Sequence, residues 1–268
     1  MGSVRRSLLV AILAAFLAVS AIGPADGSAR VFDEPIASVV TPQRLVALTF
    51  DDGPDRRRTP EILAILHREH VHATFFVLGP SVLHNRTLVH REAEWHNEVG
   101  CHGWLHVDEM RYRTAEVVHA FRDCAGSVER ITHSRVHVVR APYGLFSASQ
   151  VRALGRAGLT AVDWNLSGAG IASYPAVIGP DLMAITPGTI ILLHDGRSNH
   201  GDVVRYLPRI IHRLRAEHFG MVTLDELFRN GTPVRESASA LCDRERLYAA
   251  DHFIRARPLT RRGCRVFS

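Results

Sequence analysis

The sequence contains no lysine, so all 32 of its Lys-plus-Arg positions are arginine. That absence reads as a coding bias more than a functional trait. Aromatic residues make up only 7% of the chain, and no compact basic run is interleaved with them. The arginines alternate with Asp and Glu, so the formal charge of +5 is spread thin. Nucleic-acid binding is therefore not expected, although a mild positive excess fits retention at an anionic cell wall. No Cys-x-x-Cys occurs, which excludes the common spacing of a structural zinc cluster. There is no internal repeat. The apolar run from Leu8 to about Ile22 is short for a membrane span.

That run is expected to serve export. Arg5 and Arg6 precede it, and Val19-Ser20-Ala21 offers a cleavage site, so residues 1–29 are expected to be a signal peptide and short leader. An uncleaved anchor is the alternative; after cleavage no stable span would remain. No Cys lies near the cleavage site, which argues against a lipoprotein. The product would be secreted or wall-associated. Export makes the four cysteines legible as disulfides, with Cys101–Cys124 and Cys242–Cys264 the favoured pairing of three possible ones. With 46% hydrophobic and 22% charged residues the composition is globular, and 268 residues less a leader suit one domain with a small appendage.

Strand-like runs at Leu45–Phe50, Ala73–Leu78, Val136–Val139, Leu159–Trp164, Thr189–Leu193 and Gly220–Thr223 alternate with helix-like stretches. The helical stretches are Pro60–His70, Arg86–Glu98, Thr114–Thr132, Ser147–Ala157, Val203–His218 and Leu224–Arg229. The alternation predicts an α/β fold built of βα units around a parallel sheet. Residues from about 231 to 268 are Arg-rich, aperiodic and carry two Cys, and read as a disulfide-pinned extension.

Polar residues follow several strand ends, where active sites collect in parallel α/β barrels. The apolar strand through Phe50 stops on Asp51-Asp52-Gly53-Pro54. Asp, Gly and Pro are ordinary turn formers, but two acids whose side chains leave a strand on opposite faces can take separate tasks. His102 and His106 are four apart, a spacing at which a helix or tight turn brings both imidazoles to one ion. With one carboxylate they make the three-ligand, open site of a catalytic zinc. His133 and His137 share the spacing without that context and read as surface histidines. Arg140-Ala-Pro-Tyr-Gly144 can aim backbone N–H groups into a site and clamp a carboxylate. His194-Asp195 ends another apolar strand, where a histidine can act as a general acid.

Together and in this order, these segments resemble the polysaccharide deacetylases, carbohydrate esterase family 4, also called the NodB homology domain. TFDDGP, HGWLH, RAPYG and IILLHDG are similar to four of that family's five motifs, and Ala73–Gly79 is similar to its second strand. The likeness runs from about Leu45 to Phe228. It implies a distorted (β/α) barrel as a single catalytic domain, residues 30–230, and a divalent metal, usually Zn2+. By position, Asp52, His102 and His106 would bind the metal and Asp51 would be the general base, held by Arg140. The Tyr143 N–H would stabilise an oxyanion and His194 would be the general acid. Leu192 would line the acetyl pocket, with Tyr143 and Trp164 also contacting substrate. The implied reaction is removal of N-acetyl groups from an N-acetylglucosamine polymer such as peptidoglycan or a chitin-like chain, by a monomer.

Two positions depart from the family pattern. Gly103 stands where the family has Ser or Thr, and the Cys101–Cys124 bridge is the expected source of replacement rigidity. The Asp-x-x-Asp-Trp motif expected shortly after Trp164 is replaced by Asn165-Leu166-Ser167-Gly168-Ala169-Gly170-Ile171. Its second acid tunes the catalytic His, so Asp163 or Asp181 would have to compensate. That loss keeps two alternatives open: an O-acetyl (xylan) esterase, and a catalytically weak carbohydrate-binding member of the same fold.

Overall fold

The structure, a computed structural model, describes residues 32–167, 185–196, 203–237 and 240. The expected leader, the Cys242–Cys264 pair and Asp181 lie outside the described residues.

The centre of the fold is β2 (Leu45–Gly53), and its sequence dictates two layers. Val46, Leu48 and Phe50 point toward the helices and join the larger core, while Ala47 points inward to a second cluster with Phe76, Trp164, Ile190 and Leu192. Burial on both faces is what a continuous apolar strand needs, and only a parallel sheet covered by helices supplies it. Accordingly β2 pairs in parallel with β3 (Thr74–Val77), β8 (Ile190–His194) and β9 (Gly220–Val222). The described sheet runs β6-β5-β4-β3-β2-β8-β7, with β9 on the lower half of β2. Here β4 is Glu98–Cys101, β5 Val138–Val139, β6 Thr160–Ala161 and β7 Leu166–Ser167. The first strand, β1 (Ile36–Val40), bridges singly to Val162 beyond β6 and to Thr189 before β8, and so spans the opening between the two arms. The result is a distorted (β/α) barrel, as expected.

Helices α1 (Arg58–Arg68), α2 (Gly79–His84), α3 (Arg86–Glu94), α4 (Thr114–Thr132), α5 (Ala148–Arg156), α6 (Val203–Ala216) and α7 (Leu224–Arg229) follow their strands. In α6 the buried residues are Val203, Tyr206, Leu207, Ile210, Ile211 and Leu214, one face of a 3.6-residue repeat. A capping box between Ser147 and Gln150 starts α5, satisfying amide groups that a helix start leaves open.

Several expected elements shift. The helix expected to reach Glu98 stops at Glu94, and Glu98–Cys101 is strand β4. Four residues with one Gly carry too little period to separate from a helix end. The strands expected at Val136–Val139 and Leu159–Trp164 keep ladder pairing over only two residues each. Residues Thr232–Arg235 form β10, antiparallel to β1, so the start of the segment expected as an extension pairs with the fold.

Cys101 and Cys124 are disulfide-bonded, joining the last residue of β4 to the middle of α4. Both are fully buried. The bond closes a loop with a sequence separation of 23, which loop-closure entropy values at about 3 kcal/mol. Replacing both cysteines with alanine is expected to lower unfolding stability by about that amount, measured by denaturant titration with and without zinc. A loss below about 1 kcal/mol would mean the unfolded chain is already held compact there.

Candidate active site

The double-acid turn does not place its carboxylates on opposite sides. Asp51 sits in strand geometry beside His194, its Cα partner across the β2–β8 ladder. At Asp52 the backbone turns left-handed (φ 74°), the β2–β3 register slips, and Gly53-Pro54 is cis. The turn swings Asp52 back, so that His102 Nε2 lies 3.8 Å from Asp51 Oδ2 and 3.5 Å from Asp52 Oδ1. Both carboxylates therefore face one centre.

His106 completes the cluster, with Nε2 3.4 Å from the same Asp52 oxygen. One donor atom from each of Asp52, His102 and His106 lies within 4.8 Å of the others. The two histidines sit on an irregular loop after β4 rather than a helix, with ring centroids 5.3 Å apart. Three observations fit this set to a metal ion. Asp52 Oδ1 is buried and makes no hydrogen bond, a state that costs stability unless a cation occupies the site. His102 Nδ1 donates to the Arg140 carbonyl at 3.0 Å, which turns the Nε2 lone pair toward Asp52. Burial, reinforced by His106 and Arg140 and opposed by Asp52, holds the His102 imidazole down to about 3, so it enters neutral and ready to ligate. Two nitrogens and one carboxylate form the open three-ligand donor set that zinc uses in catalysis.

Arg140, at 0% exposure, is the largest fully buried side chain among the described residues. Its Nη1 donates to Asp51 Oδ1 and to Thr49 Oγ1, both at 2.8 Å. Its Nη2 donates to the Asp163 carbonyl at 2.8 Å and its Nε to the Val162 carbonyl at 3.3 Å. Phe76 and Trp164 flank it, with ring centroids 4.2 and 5.5 Å from the guanidinium carbon. A buried guanidinium with every edge occupied is an orienting device, and it points one Asp51 oxygen away from the other, which faces His102.

After Arg140 the chain makes a tight 3-10 turn over Pro142–Gly144, with Tyr143 at φ 63°. The Tyr143 N–H makes no hydrogen bond among the described residues, and its ring packs edge-on against His106 at 4.6 Å. Its side chain is exposed, as is that of Leu105 between the two histidines. His194 is half-buried at the end of β8. Leu192, two residues earlier on the same face, is buried at 5% exposure against Trp164 at 7%. Trp164 backs Arg140 more than it faces solvent. His133 and His137 are exposed, as expected for surface residues.

The family model for polysaccharide deacetylases matches residues 38–162. A chitooligosaccharide deacetylase of Bradyrhizobium sp. (strain ANU 289) is 32% identical over 202 residues, covering 70% of this chain and 92% of that protein. The chain belongs to the polysaccharide deacetylase family. The peptidoglycan-N-acetylglucosamine deacetylase PgdA of Listeria monocytogenes is 34% identical over 187 residues, 68% of this chain. Only 38% of PgdA is spanned by that match. Among solved structures, the Bc1960 peptidoglycan N-acetylglucosamine deacetylase superposes with a TM-score of 0.69 at 26% identity, covering 75% of this chain and 95% of that one.

Where this deacetylase-family chain departs from the pattern, the structure gives local reasons. Gly103 has φ +86°, and a Cβ there would lie 3.0 Å from Glu109 Oε1. Glu109, buried and pushed up to about 7 by that burial, fills the space beside the loop. Gly103→Ser is therefore expected to cost about 1–2 kcal/mol from the left-handed backbone and to weaken zinc binding. Thermal unfolding and competitive chelation would check both; a gain in stability would show that the loop can rearrange. Asn165 is occupied by the sheet: its Oδ1 accepts from Ile190 N at 2.8 Å, and its own N–H donates to the Ile190 carbonyl. It splices β7 to β8.

Some residues of the site escaped the sequence reading. Thr49 bonds Arg140, and its place two residues before Asp51, on the same strand face, was the available signal. Asp195 is fully buried and held by the Thr59 hydroxyl. Burial pushes its carboxyl up to about 7 against that hydrogen bond, with Asp52 and Asp51 adding repulsion. The sequence showed Asp195 only as the neighbour of His194.

Proposed function

We propose that the protein is a secreted or wall-associated, metal-dependent hydrolase. It removes N-acetyl groups from an N-acetylglucosamine-containing polysaccharide, peptidoglycan or chitin-like, and acts as a monomer. The observation that carries this reading is the union, at one centre, of the Asp52–His102–His106 ligand set with Asp51 oriented by the buried Arg140. Zinc is the proposed ion, held by those three ligands; when bound it supplies Lewis acidity and a water acidic enough to attack near neutral pH.

The residues around the ligands divide the remaining work. Asp51, with one oxygen on Arg140 and the other facing the centre, takes a proton as water attacks the acetamide carbonyl. The Tyr143 N–H, with no partner among the described residues, donates to the carbonyl oxygen as it gains charge, a contribution of about 2.7–4 kcal/mol in comparable sites. His194, beside Asp51 on the adjoining strand, delivers a proton to the departing nitrogen. Acetate and a free amino sugar result. Leu192, packed with Trp164 in one cluster, contributes apolar wall for the acetyl methyl, and exposed Tyr143 bounds the sugar side. The PgdA and chitooligosaccharide deacetylase likenesses support an amide of N-acetylglucosamine as the substrate.

A second reading is an O-acetyl esterase. The acids expected after Trp164 are absent and Asn165 is committed to the sheet, and an ester demands less of its acid because its leaving group is better. Acetate release separates the readings. Zinc-loaded protein is offered chitooligosaccharides, peptidoglycan and acetylated xylan in parallel. Release from the amide substrates supports the deacetylase, release from xylan alone supports the esterase, and none from any, with zinc bound, leaves a binding role.

A further inference from the structure

The end of β8 and the double-acid turn are joined at the backbone. The N–H groups of Asp195 and Gly196 both donate to the Asp51 carbonyl, at 3.1 and 3.3 Å. A Cβ on Gly196 would lie 2.2 Å from Asp52 Cβ, so the two segments touch without side chains between them. The Asp195 side chain continues the junction on its far side. It passes against Gly53, where a Cβ would sit 2.2 Å from its Oδ2, and accepts a hydrogen bond from Thr59 Oγ1 in the first turn of α1. Thr59 Oγ1 in turn accepts from the Asp55 N–H at 2.8 Å. One carboxyl thus connects the strand end carrying His194, the turn carrying Asp51 and Asp52, and the helix that follows that turn.

This is an expensive way to fasten a loop. Asp195 is 0% exposed and its Oδ1 makes no hydrogen bond, and a buried polar atom left unpaired destabilises the fold. An apolar side chain would pack there without that penalty but would not reach Thr59 with an acceptor. Glycine at both 53 and 196 is what lets the carboxyl and the backbone approach so closely.

We propose that Asp195 is a positioning residue that sets His194 against Asp51, by tying the end of β8 through Thr59 to the turn at Gly53. It touches no reacting atom and acts through the two residues it spaces. The assignment rests on the deacetylase reading and names a further determinant of that reaction.

The test compares Asp195→Ala, Asp195→Asn, Thr59→Val and Thr59→Ser in the zinc-loaded protein. Each is measured for kcat and KM on a chitooligosaccharide, for zinc affinity by competition, and for hydrogen exchange at the 195 and 196 amides. Loss of the bridge is expected to lower kcat about 10- to 100-fold, the scale of a small misplacement, with KM and zinc affinity unchanged and exchange faster. Asp195→Ala and Thr59→Val should show this. Asp195→Asn, which keeps an acceptor for Thr59, and Thr59→Ser, which keeps the donor, should stay within about 3-fold of the parent. If Asp195→Ala does not fold, the Thr59 pair carries the comparison alone. The proposal is overturned if Asp195→Ala or Thr59→Val leaves kcat and amide exchange unchanged, if the losses fall in KM or zinc affinity, or if Asp195→Asn is as impaired as Asp195→Ala. Should the parent protein release no acetate, the deacetylase reading falls, and the exchange rates still decide whether the bridge orders this junction.

Discussion

Asp52→Ala is expected to abolish zinc binding and acetate release together while leaving the zinc-free protein about as stable as its parent. Outer-shell partners of a metal typically contribute 10- to 100-fold to affinity, so loss of a direct ligand should exceed about 100-fold. The structural reason that stability survives lies in Asp52 itself. Its Oδ1 is buried with no hydrogen bond and meets the two imidazoles only at 3.4 and 3.5 Å, so without an ion the side chain contributes mainly desolvation cost. Deleting it offsets the strain of alanine at φ 74°, and the two effects are each about 1 kcal/mol or a little more. Zinc should therefore raise the melting temperature of the parent, by the equivalent of about 2.7 kcal/mol at 100 times Kd, and should not move that of the variant. Asp51→Asn is the contrasting control: zinc binding should persist while acetate release falls about 10²- to 10⁴-fold, the range for losing a general base. Retention of zinc-induced stabilisation in Asp52→Ala would show that the His102–His106 pair recruits a different third ligand.

The candidate ligand set and the carboxylate proposed as base were legible because strand ends in a parallel sheet announce themselves. An apolar run buried on both faces cannot carry acids until it reaches the rim, so Asp51-Asp52 after Phe50 and His194 after Leu193 had to lie at one end of the barrel. The order of segments then carried the family. What sequence does not encode locally is convergence. Alternation along a strand places Asp51 and Asp52 on opposite faces, and only the left-handed turn at Asp52 overrides it. Strand β4 was hidden by its length, and with it the reason that His102 follows directly on the sheet. The loop character of 102–106 was also hidden, since the spacing of two histidines is the same on a helix and on a bend. Asp195 was invisible as a structural element because its partner, Thr59, lies 136 residues away and carries no motif of its own.

Arg140→Met is expected to be among the most destabilising single changes in the candidate active site. Its guanidinium makes four hydrogen bonds in a fully buried setting, to Asp51, Thr49 and the Val162 and Asp163 carbonyls. Removing it leaves the Asp51 carboxylate buried at 2% exposure without its cation, and breaking one side of such a pair costs about 3–5 kcal/mol. Asp51→Asn strands the arginine instead and should cost a comparable amount, while the double variant should cost clearly less than the sum of the two. A coupling of roughly 0.5–3 kcal/mol in that cycle is the range for residues in one network, and additive losses would mean the pair is held by its surroundings more than by itself. Arg140→Lys separates charge from shape. An ammonium supplies a positive charge near Asp51 but cannot span Thr49, Asp51 and two carbonyls at once. If the role of Arg140 is orientation, Arg140→Lys should fold and bind zinc yet lose about 100-fold in kcat, as expected for a base displaced by about 1 Å. If charge alone sufficed, Arg140→Lys would work nearly as well as the parent. The four-way hydrogen bonding favours orientation, because a site that needed only a nearby cation would have no use for anchoring it to the backbone at both Val162 and Asp163.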